Sequence, residues 1–356
     1  MIIKELLLNN YRNIEYLEIN NISKDKNIIV GDNAQGKTNI IEAINYLSCA
    51  KSFRTVSENM LIRESYDSTY LKCSYKRTNG SGKIEAKLFK DKRKSISING
   101  MPISRVSELL GTINTVVFAP EDMKVIKELP ALRRHMIDIE ISKIKPSYFI
   151  YLQQLYSLIK NKNKVLKDYL PDKTLIEVYN EEIVKLSEQI IRIRLEYINE
   201  LSGIANRYHR ELNNSEQLLL RYRCCCDINN IKEDLYRKLT DSYELEKEKR
   251  FCLVGPHRED FDIIINGKQA KLYGSQGQQR TAMISIKLAV SELAYKKTGE
   301  YPILLLDDVF SELDTGRANS LFNAINNLQV FITAAEYRDS FKNQQCYFIN
   351  NGKVQN

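Results

Sequence analysis

The chain has 356 residues, of which 43% are hydrophobic and 28% are charged, and its formal net charge is +8. This composition excludes a disordered protein, and no apolar run approaches the roughly 18 residues that a membrane span needs. The N-terminus lacks a signal-peptide pattern, and the cysteine spacing does not predict a disulfide framework, so we expect a cytoplasmic protein. The positive charge permits a polyanionic partner without requiring one.

The first fifty residues predict strands followed by a helix. Apolar positions within 2–8 precede a turn-like Asn9-Asn10, and residues 16–19 alternate as a strand does. Residues 27–30 form a short apolar run that ends at Gly31, which is typical of a buried parallel strand. Residues 39–49 carry apolar side chains at helical spacing.

A match to the P-loop pattern G-x-x-x-x-G-K-[ST] lies between that strand and that helix. It consists of Gly31, Asp32, Asn33, Ala34, Gln35, Gly36, Lys37 and Thr38. Backbone N–H groups of such a loop cradle phosphates together with the helix N-terminus. Lys37 would place its charge on the β- and γ-phosphate oxygens, as a catalytic group, and the Thr38 hydroxyl would reach Mg²⁺. The pattern therefore predicts ATP and Mg²⁺ as cofactors.

The middle of the chain divides into a strand-rich and a helix-rich part. Residues 69–119 predict a small antiparallel lobe, with a hairpin turn at 79–82 and a second turn at Asn99-Gly100. Residues 131–250 predict helices, including one long amphipathic helix over about 175–201. Its apolar stripe fits either a packed face or a coiled-coil seam, and the unsustained heptad favours the packed face.

The last hundred residues return to an α/β pattern. We predict strands at 252–255 and 261–265, a helix at 278–298, and strands at 303–306 and 331–333. The run Ile303–Leu306 before Asp307 and Asp308 resembles Walker B, with Asp307 at the Mg²⁺ and Asp308 as the catalytic residue that orients or deprotonates the attacking water. On its own the strand could equally end in acids that cap the next helix.

Two further motifs separate ABC ATPases from other P-loop proteins. Residues 275–278 resemble the ABC signature, in which Ser275, Gly277 and Gln278 at a helix N-terminus would complete the nucleotide site of a partner subunit. Residues 311–314 follow Walker B at the spacing of the D-loop. The switch position, normally histidine, is Thr333, which can hold a γ-phosphate or a water but cannot become cationic. Together with the short Asp308, this predicts slow hydrolysis.

The layout resembles the SMC-like ABC ATPases of DNA repair, and particularly the RecF family. Roughly 240 residues separate the P-loop from the signature, and the helical part is too short for SMC coiled coils. The segments that carry the resemblance are 10–13, 33–39, 52–55, 118–122, 133–138, 255–258, 275–280 and 305–314.

The resemblance implies an α/β fold, an ABC-ATPase head of residues 1–130 and 251–356 that includes the β lobe, with an inserted helical lobe of 131–250. It implies an ATP-induced homodimer that binds gapped DNA and single-strand/double-strand junctions. It also implies that the protein acts with RecO and RecR in loading recombinase, supports the SOS response, and has a weak DNA-stimulated ATPase. Arg12 would lie near the nucleotide, and Glu121 would occupy the Q-loop position.

The DNA contacts are predicted from charge alone. Lys51, Arg54, Lys92, Arg93 and Lys94 are candidates, because Lys and Arg neutralise phosphates and release counterions. A solvated surface charge is the alternative for each of them. Three other functions are less consistent with the motifs. A small-molecule kinase needs no signature or D-loop, an ABC transport subunit would carry a switch histidine, and a structural SMC-like head would have a longer arm.

Overall fold

The structure is a computed structural model that describes residues 1–55, 57–213, 216–326, 328–338 and 341–355. The strands are β1 Ile2–Tyr11, β2 Ile14–Ile19, β3 Lys26–Val30, β4 Ser68–Arg77, β5 Gly80–Phe89, β6 Ser95–Ile98, β7 Met101–Pro102, β8 Thr115–Phe118, β9 Leu218–Arg223, β10 Asp260–Ile265, β11 Lys268–Gln269, β12 Ile303–Leu306, β13 Val330–Ala334, β14 Gln345–Asn350 and β15 Lys353–Gln355. The helices are α1 Lys37–Cys49, α2 Val106–Leu109, α3 Met123–Lys127, α4 Pro130–Ile144, α5 Pro146–Val165, α6 Lys173–Leu212, α7 Ile231–Asp241, α8 Tyr243–Lys249, α9 Ala270–Tyr273, α10 Gln276–Thr298 and α11 Thr315–Ala324.

A largely parallel sheet forms the centre of the molecule, with strand order β15-β14-β3-β13-β12-β8. Every neighbouring pair is parallel except β14 and β15. The strands β3, β8, β12 and β13 are buried along their whole length, which explains why their sequences are mostly apolar. Their carboxyl ends meet at one edge, where α/β sheets bind their ligands.

An antiparallel sheet of order β2-β1-β4-β5-β6-β7 and helix α1 pack on one face of the parallel sheet. Helices α4, α5, α6 and α10 pack on the other face. Alternate residues of each central strand supply the two cores: Leu305 joins the first and Leu304 the second. The α/β class predicted from the sequence is confirmed.

The antiparallel sheet differs in two ways from the strand pattern predicted from the sequence. It takes in β1 and β2, and residues 115–118 form β8 of the parallel sheet instead. The predicted turn at Asn9-Asn10 is wrong, because Asn9 pairs with Tyr16 on one side and Tyr70 on the other. The chain reverses after β1 ends at Tyr11. Two flanking strands hold Asn9 in the ladder despite its turn propensity.

The helical region is built on α6, a helix of 40 residues. Its buried face packs against α5, β9 and α10 of the same chain, so the apolar stripe is a packed face. One strand, β9, lies within the region predicted to be helical and pairs with β10. The predicted domain boundaries at 130 and 250 stay a prediction.

The predicted strand at 252–255 is wrong. The segment has no ladder partner among the described residues. Side chains satisfy its backbone instead: the N–H of Cys252 donates to Asn163 Oδ1 at 2.7 Å and the N–H of Leu253 donates to Glu246 Oε1 at 2.8 Å. No helix among the described residues is both long and apolar enough to cross a membrane.

Candidate nucleotide-binding site

A cavity of about 370 Å³ lies at the carboxyl edge of the parallel sheet. It brings together the P-loop after β3, the two acids after β12 and the threonine on β13. Its lining residues are Asn13, Asn33, Ala34, Gly36, Lys37, Thr38, Asn39, Arg54, Asp307, Asp308 and Thr333. The P-loop and the Walker B motif, which lie some 270 residues apart in the chain, therefore face one space.

Glycine is required at two positions of the P-loop for different reasons. A Cβ atom on Gly31 would lie 2.3 Å from the carbonyl oxygen of Ile349, so the loop could not pass β14 with any larger residue. Gly36 has φ +108° and its Cβ would lie 2.8 Å from Asn13 Oδ1. Gln35 fixes the loop from outside, because its carbonyl accepts from the N–H of Gly352 at 3.0 Å.

Lys37 lies in the first turn of α1 with its ammonium group inside the loop. Its Nζ donates to the carbonyl of Asp32 at 2.7 Å and also to the carbonyl of Gly31. Burial lowers the pKa of Lys37, and the charges of Asp308, Asp307 and Asp32 oppose this effect. The Lys37 side chain thus lies within a ring of acceptors, from which it can turn to a phosphate.

Asp307 accepts two hydroxyl hydrogen bonds on the same oxygen. Thr38 Oγ1 and Thr333 Oγ1 each lie 2.8 Å from Asp307 Oδ1. Burial raises the pKa of the Asp307 carboxyl, the two hydroxyl groups oppose the shift, and the nearby Glu121 charge raises the pKa further. A divalent cation here would offset that repulsion. The hydroxyl of Thr38 and the carboxylate of Asp307 are the hard oxygen donors that Mg²⁺ takes, so these residues fit the ion.

Asp308 is held in a left-handed backbone conformation, with φ 52° and ψ 25°. For a residue with a Cβ atom this costs energy, and such strain is found at functional sites. The N–H of Asp308 donates to Thr333 Oγ1 at 2.9 Å, which fixes the turn. The exposed carboxylate then lines the cavity next to Lys37 and Asp307.

Thr333 contacts both acids, a role that the sequence analysis missed. The sequence predicted that its hydroxyl would hold a γ-phosphate or a water. In the structure Thr333 is 1% exposed, donates to Asp307 and accepts from Asp308. Its single proton is therefore used on Asp307, and the residue positions the carboxylate of Asp307 and the backbone of Asp308.

A buried carboxylate on α1, Glu42, organises the side of the cavity. Arg12 forms a bidentate pair with it, at 2.7 and 2.9 Å, and Ser52 donates to it as well. Hydrogen bonds with Glu42 raise the pKa of Arg12, although burial opposes this. Arg12 is not among the residues that line the cavity, whereas its neighbour Asn13 is. No sequence motif pointed to Glu42, because it lies among apolar helical residues.

Ser275 caps the N-terminus of α10 with a capping box. Its Oγ accepts from the N–H of Gln278 at 3.2 Å, and Gln278 Oε1 accepts from the N–H of Ser275 at 2.8 Å. The side chain of Arg317 lies over Gly277, 3.3 Å from the place of a Cβ. Ser275, Gly277 and Gln278 are absent from the described lining of the nucleotide cavity. Within one chain, the N-terminus of α10 therefore does not contribute to the nucleotide cavity.

The predicted DNA contacts fall into three groups. Arg54 lines the nucleotide cavity and donates to Asn39 Oδ1 at 2.8 Å. Lys94 is half-buried, pairs with Glu58 and donates to the carbonyl of Ala50 at 3.0 Å, so its ammonium group has intramolecular partners. The other three candidates, Lys51, Lys92 and Arg93, are exposed.

Comparison with known proteins places these features in a family. The chain matches the family described as RecF/RecN/SMC N-terminal domain over residues 2–354. It is 39% identical to the DNA replication and repair protein RecF of Clostridium perfringens, over 100% of both chains. A solved structure of the recombination mediator protein RecF with ATP in the RecFOR pathway has 34% identity and a TM-score of 0.93, covering 99% of this chain and 96% of that one. An Smc head bound to the C-terminal winged-helix domain of ScpA shares the fold, with a TM-score of 0.60 and 15% identity.

Proposed function

This chain belongs to the RecF family of DNA replication and repair proteins, and from that premise we propose that it is an ATP-gated DNA clamp. Two copies close around ATP, bind gapped DNA or single-strand/double-strand junctions, and help to load recombinase together with RecO and RecR. Slow hydrolysis then opens the dimer. The protein hydrolyses ATP weakly, and DNA stimulates this hydrolysis. In the cytoplasm the hydrolysis switches the protein between the closed dimer and the open form.

One observation carries the proposal. Lys37, Thr38, Asp307 and Asp308 line one cavity, whereas the signature residues of α10 do not line it. A single chain thus presents most of a triphosphate site at one place and an anion-binding helix end at another. A second copy can bring its Ser275 to the triphosphate bound by the first copy, and the first copy can do the same for the second. Two nucleotides would then be held between two chains.

Each residue in the cavity has a defined task in this proposal. The loop N–H groups and Lys37 bind the β- and γ-phosphate oxygens. Thr38 and Asp307 hold Mg²⁺, which neutralises charge on those oxygens. Asp308 accepts the proton of the attacking water or orients it. Thr333 holds the carboxylate of Asp307 and the backbone of Asp308 in place.

The test is the size of the protein in solution with ATP, with ADP and without nucleotide, measured by light scattering. We expect dimers only with ATP and Mg²⁺. Ser275→Arg should abolish dimerisation while leaving ATP binding intact, because the larger side chain prevents the signature end from approaching the partner's triphosphate. Ser81→Arg makes the same change at an exposed position of the β5 strand and should dimerise normally.

The proposal fails if the protein remains a monomer with ATP, or if the Ser275→Arg protein dimerises as readily as the Ser81→Arg protein. Adding gapped DNA to the same measurement tests the second half of the proposal. The ATP-bound dimer should bind the gapped DNA, and the Ser275→Arg monomer should not.

A further inference from the structure

A second cavity, of about 600 Å³, shares no described lining residue with the nucleotide cavity. It is bounded by the chain after α1, by α2 and by helices α4 and α5. Its walls are apolar, with Leu110 and Leu152 buried to less than a tenth exposure. Two aromatic rings, of Phe149 and Tyr156, line it as well, and Tyr156 remains 48% exposed.

Two cations also line this cavity, and neither has a carboxylate partner within 4 Å among the described residues. Lys51 Nζ is 3.2 Å from His135 Nε2, and the half-buried Arg134 donates to the carbonyl of Glu259 at 2.6 Å. Burial lowers the pKa of Arg134, and the charges of Asp260 and Asp138, which form no ion pair with it, only partly oppose this effect. A half-buried guanidinium without a counterion favours an anionic ligand.

The acid that lines this cavity does not neutralise these cations. Both carboxylate oxygens of Asp138 accept hydrogen bonds from the guanidinium of Arg194, at N–O distances of 2.8 and 2.9 Å. Asp138 also accepts a hydrogen bond from the hydroxyl of Tyr148. Its charge is therefore compensated on the inner side of α4. Lys51 and Arg134 therefore remain the positively charged groups of this lining that form no ion pair with Asp138.

A largely apolar cavity with two accessible aromatic rings and two cations without an ion-pair partner matches the chemistry of a nucleotide. The base stacks on an aromatic ring, and the phosphate contacts Lys or Arg. The bases of a duplex are paired and stacked, so only an unpaired nucleotide can enter such a cavity without paying for unstacking.

We infer that this cavity binds an unpaired nucleotide of single-stranded DNA, with the base beside Tyr156 and Phe149 and the backbone phosphate on Lys51 and Arg134. The inference rests on the proposed function, because it assigns a place to the single-stranded part of the DNA. It also gives a physical link to ATP: Lys51 lies in this cavity and Arg54, three residues later, lines the nucleotide cavity.

The experiment measures the affinity of the full-length protein, with ATP, for an oligothymidylate and for a blunt duplex of equal length. Tyr156→Leu keeps the apolar surface and removes the ring. We expect it to weaken oligothymidylate binding about tenfold, the scale of one stacked base, and to leave duplex binding unchanged. Lys51→Ala should reduce the salt dependence of oligothymidylate binding by about one phosphate contact.

Tyr169→Leu is the matched control, since Tyr169 is 96% exposed in the connection between α5 and α6. It should bind both DNAs as the wild type does. Photocrosslinking of a 5-iododeoxyuridine in the gap of a gapped duplex should label α5 around Tyr156.

The cavity assignment is overturned if Tyr156→Leu leaves oligothymidylate binding unchanged, weakens duplex binding equally, or leaves the crosslink in place. Any of these results, with normal DNA binding by the wild type, leaves the proposed function standing and indicates another occupant, such as a side chain of a protein partner. A wild-type protein that binds neither DNA overturns the proposed function and this inference together.

Discussion

Thr333 shows how one hydroxyl group can set two acids in a nucleotide site. It donates to Asp307 and accepts from the N–H of Asp308, so the carboxylate that fits Mg²⁺ and the backbone of the acid proposed to orient the attacking water are held by the same side chain. Asp308 reaches its place only by adopting φ 52°. The buried Thr333 thus stabilises a strained backbone conformation at Asp308, of the kind that is found at functional sites.

Replacing Asp308 by Asn keeps its size but removes the group that accepts a proton. We expect ATP hydrolysis to fall about a hundredfold, the usual contribution of a general base, and the ATP-bound dimer to last correspondingly longer. Single-turnover hydrolysis and the rate of dimer dissociation measure this. Asp67→Asn, at an exposed carboxylate of the antiparallel sheet region, should change neither. Unchanged dimer lifetime in the Asp308→Asn protein would contradict the role of Asp308.

At the scale of elements, one fully buried arginine on α6 joins the helical region to the chain around β10. Arg194 bonds Asp138 on α4, the hydroxyl of Tyr148 on α5 and the carbonyl of Pro256 at 2.7 Å. Glu259 lies 3.6 Å from it. Two buried carboxylates thus depend on one guanidinium for their compensation.

Arg194→Met should destabilise the protein by about 3–5 kcal/mol, because it leaves Asp138 and Glu259 buried without a counterion. Chemical denaturation measures this loss. The control is Arg192→Met on the same helix, where Arg192 is 57% exposed and pairs with Glu188. It should change the free energy of unfolding by less than about 1 kcal/mol. Equal losses in the two variants would show that the buried network adds nothing.

The strands and the loop around the phosphate site were predictable from the sequence, because binding a phosphate and burying a parallel strand each allow only a few residue types. Phosphate binding requires Gly31 and Gly36 where the structure uses them, and a buried parallel strand must be apolar before Asp307. Contacts made by distant partners could not be predicted. Glu42 forms its ion pair with Arg12, which lies 30 residues earlier in the chain. Asn9 stays in a strand only because β2 and β4 flank it.

At the scale of the whole molecule, protonation of a buried histidine is linked to global unfolding. His257 lies between the helical region and β10, where its Nε2 contacts the carbonyl of Cys252 at 3.2 Å and its Nδ1 is buried without a hydrogen-bond partner. Burial, together with the charge of Arg258, lowers the pKa of His257 to about 4, although the hydrogen bond with the carbonyl of Cys252 opposes this effect. The folded protein therefore keeps this ring neutral at pH values where an exposed histidine is charged.

Below an unfolded-state pKa of about 6.5 the unfolded chain takes up a proton here that the folded chain does not, until the pH reaches about 4. We expect the free energy of unfolding to fall as the pH drops through this window, by at most about 1.4 kcal/mol per pH unit from this residue. His257→Gln cannot take up that proton and should show a smaller decline. If the free energy of unfolding of the wild type and of the His257→Gln protein fell equally with pH, protonation of His257 would not be linked to unfolding.

The order of strands in the parallel sheet has a consequence for synthesis on the ribosome. β3 precedes the P-loop, yet both of its neighbours, β13 and β14, come about 300 residues later. At 5–20 residues per second, the segment that will cradle the triphosphate waits roughly 15–60 s before its sheet can form. A growing chain that carries the complete P-loop sequence cannot yet build the nucleotide site, and its apolar β3 strand is available to chaperones or to misfolding throughout that interval.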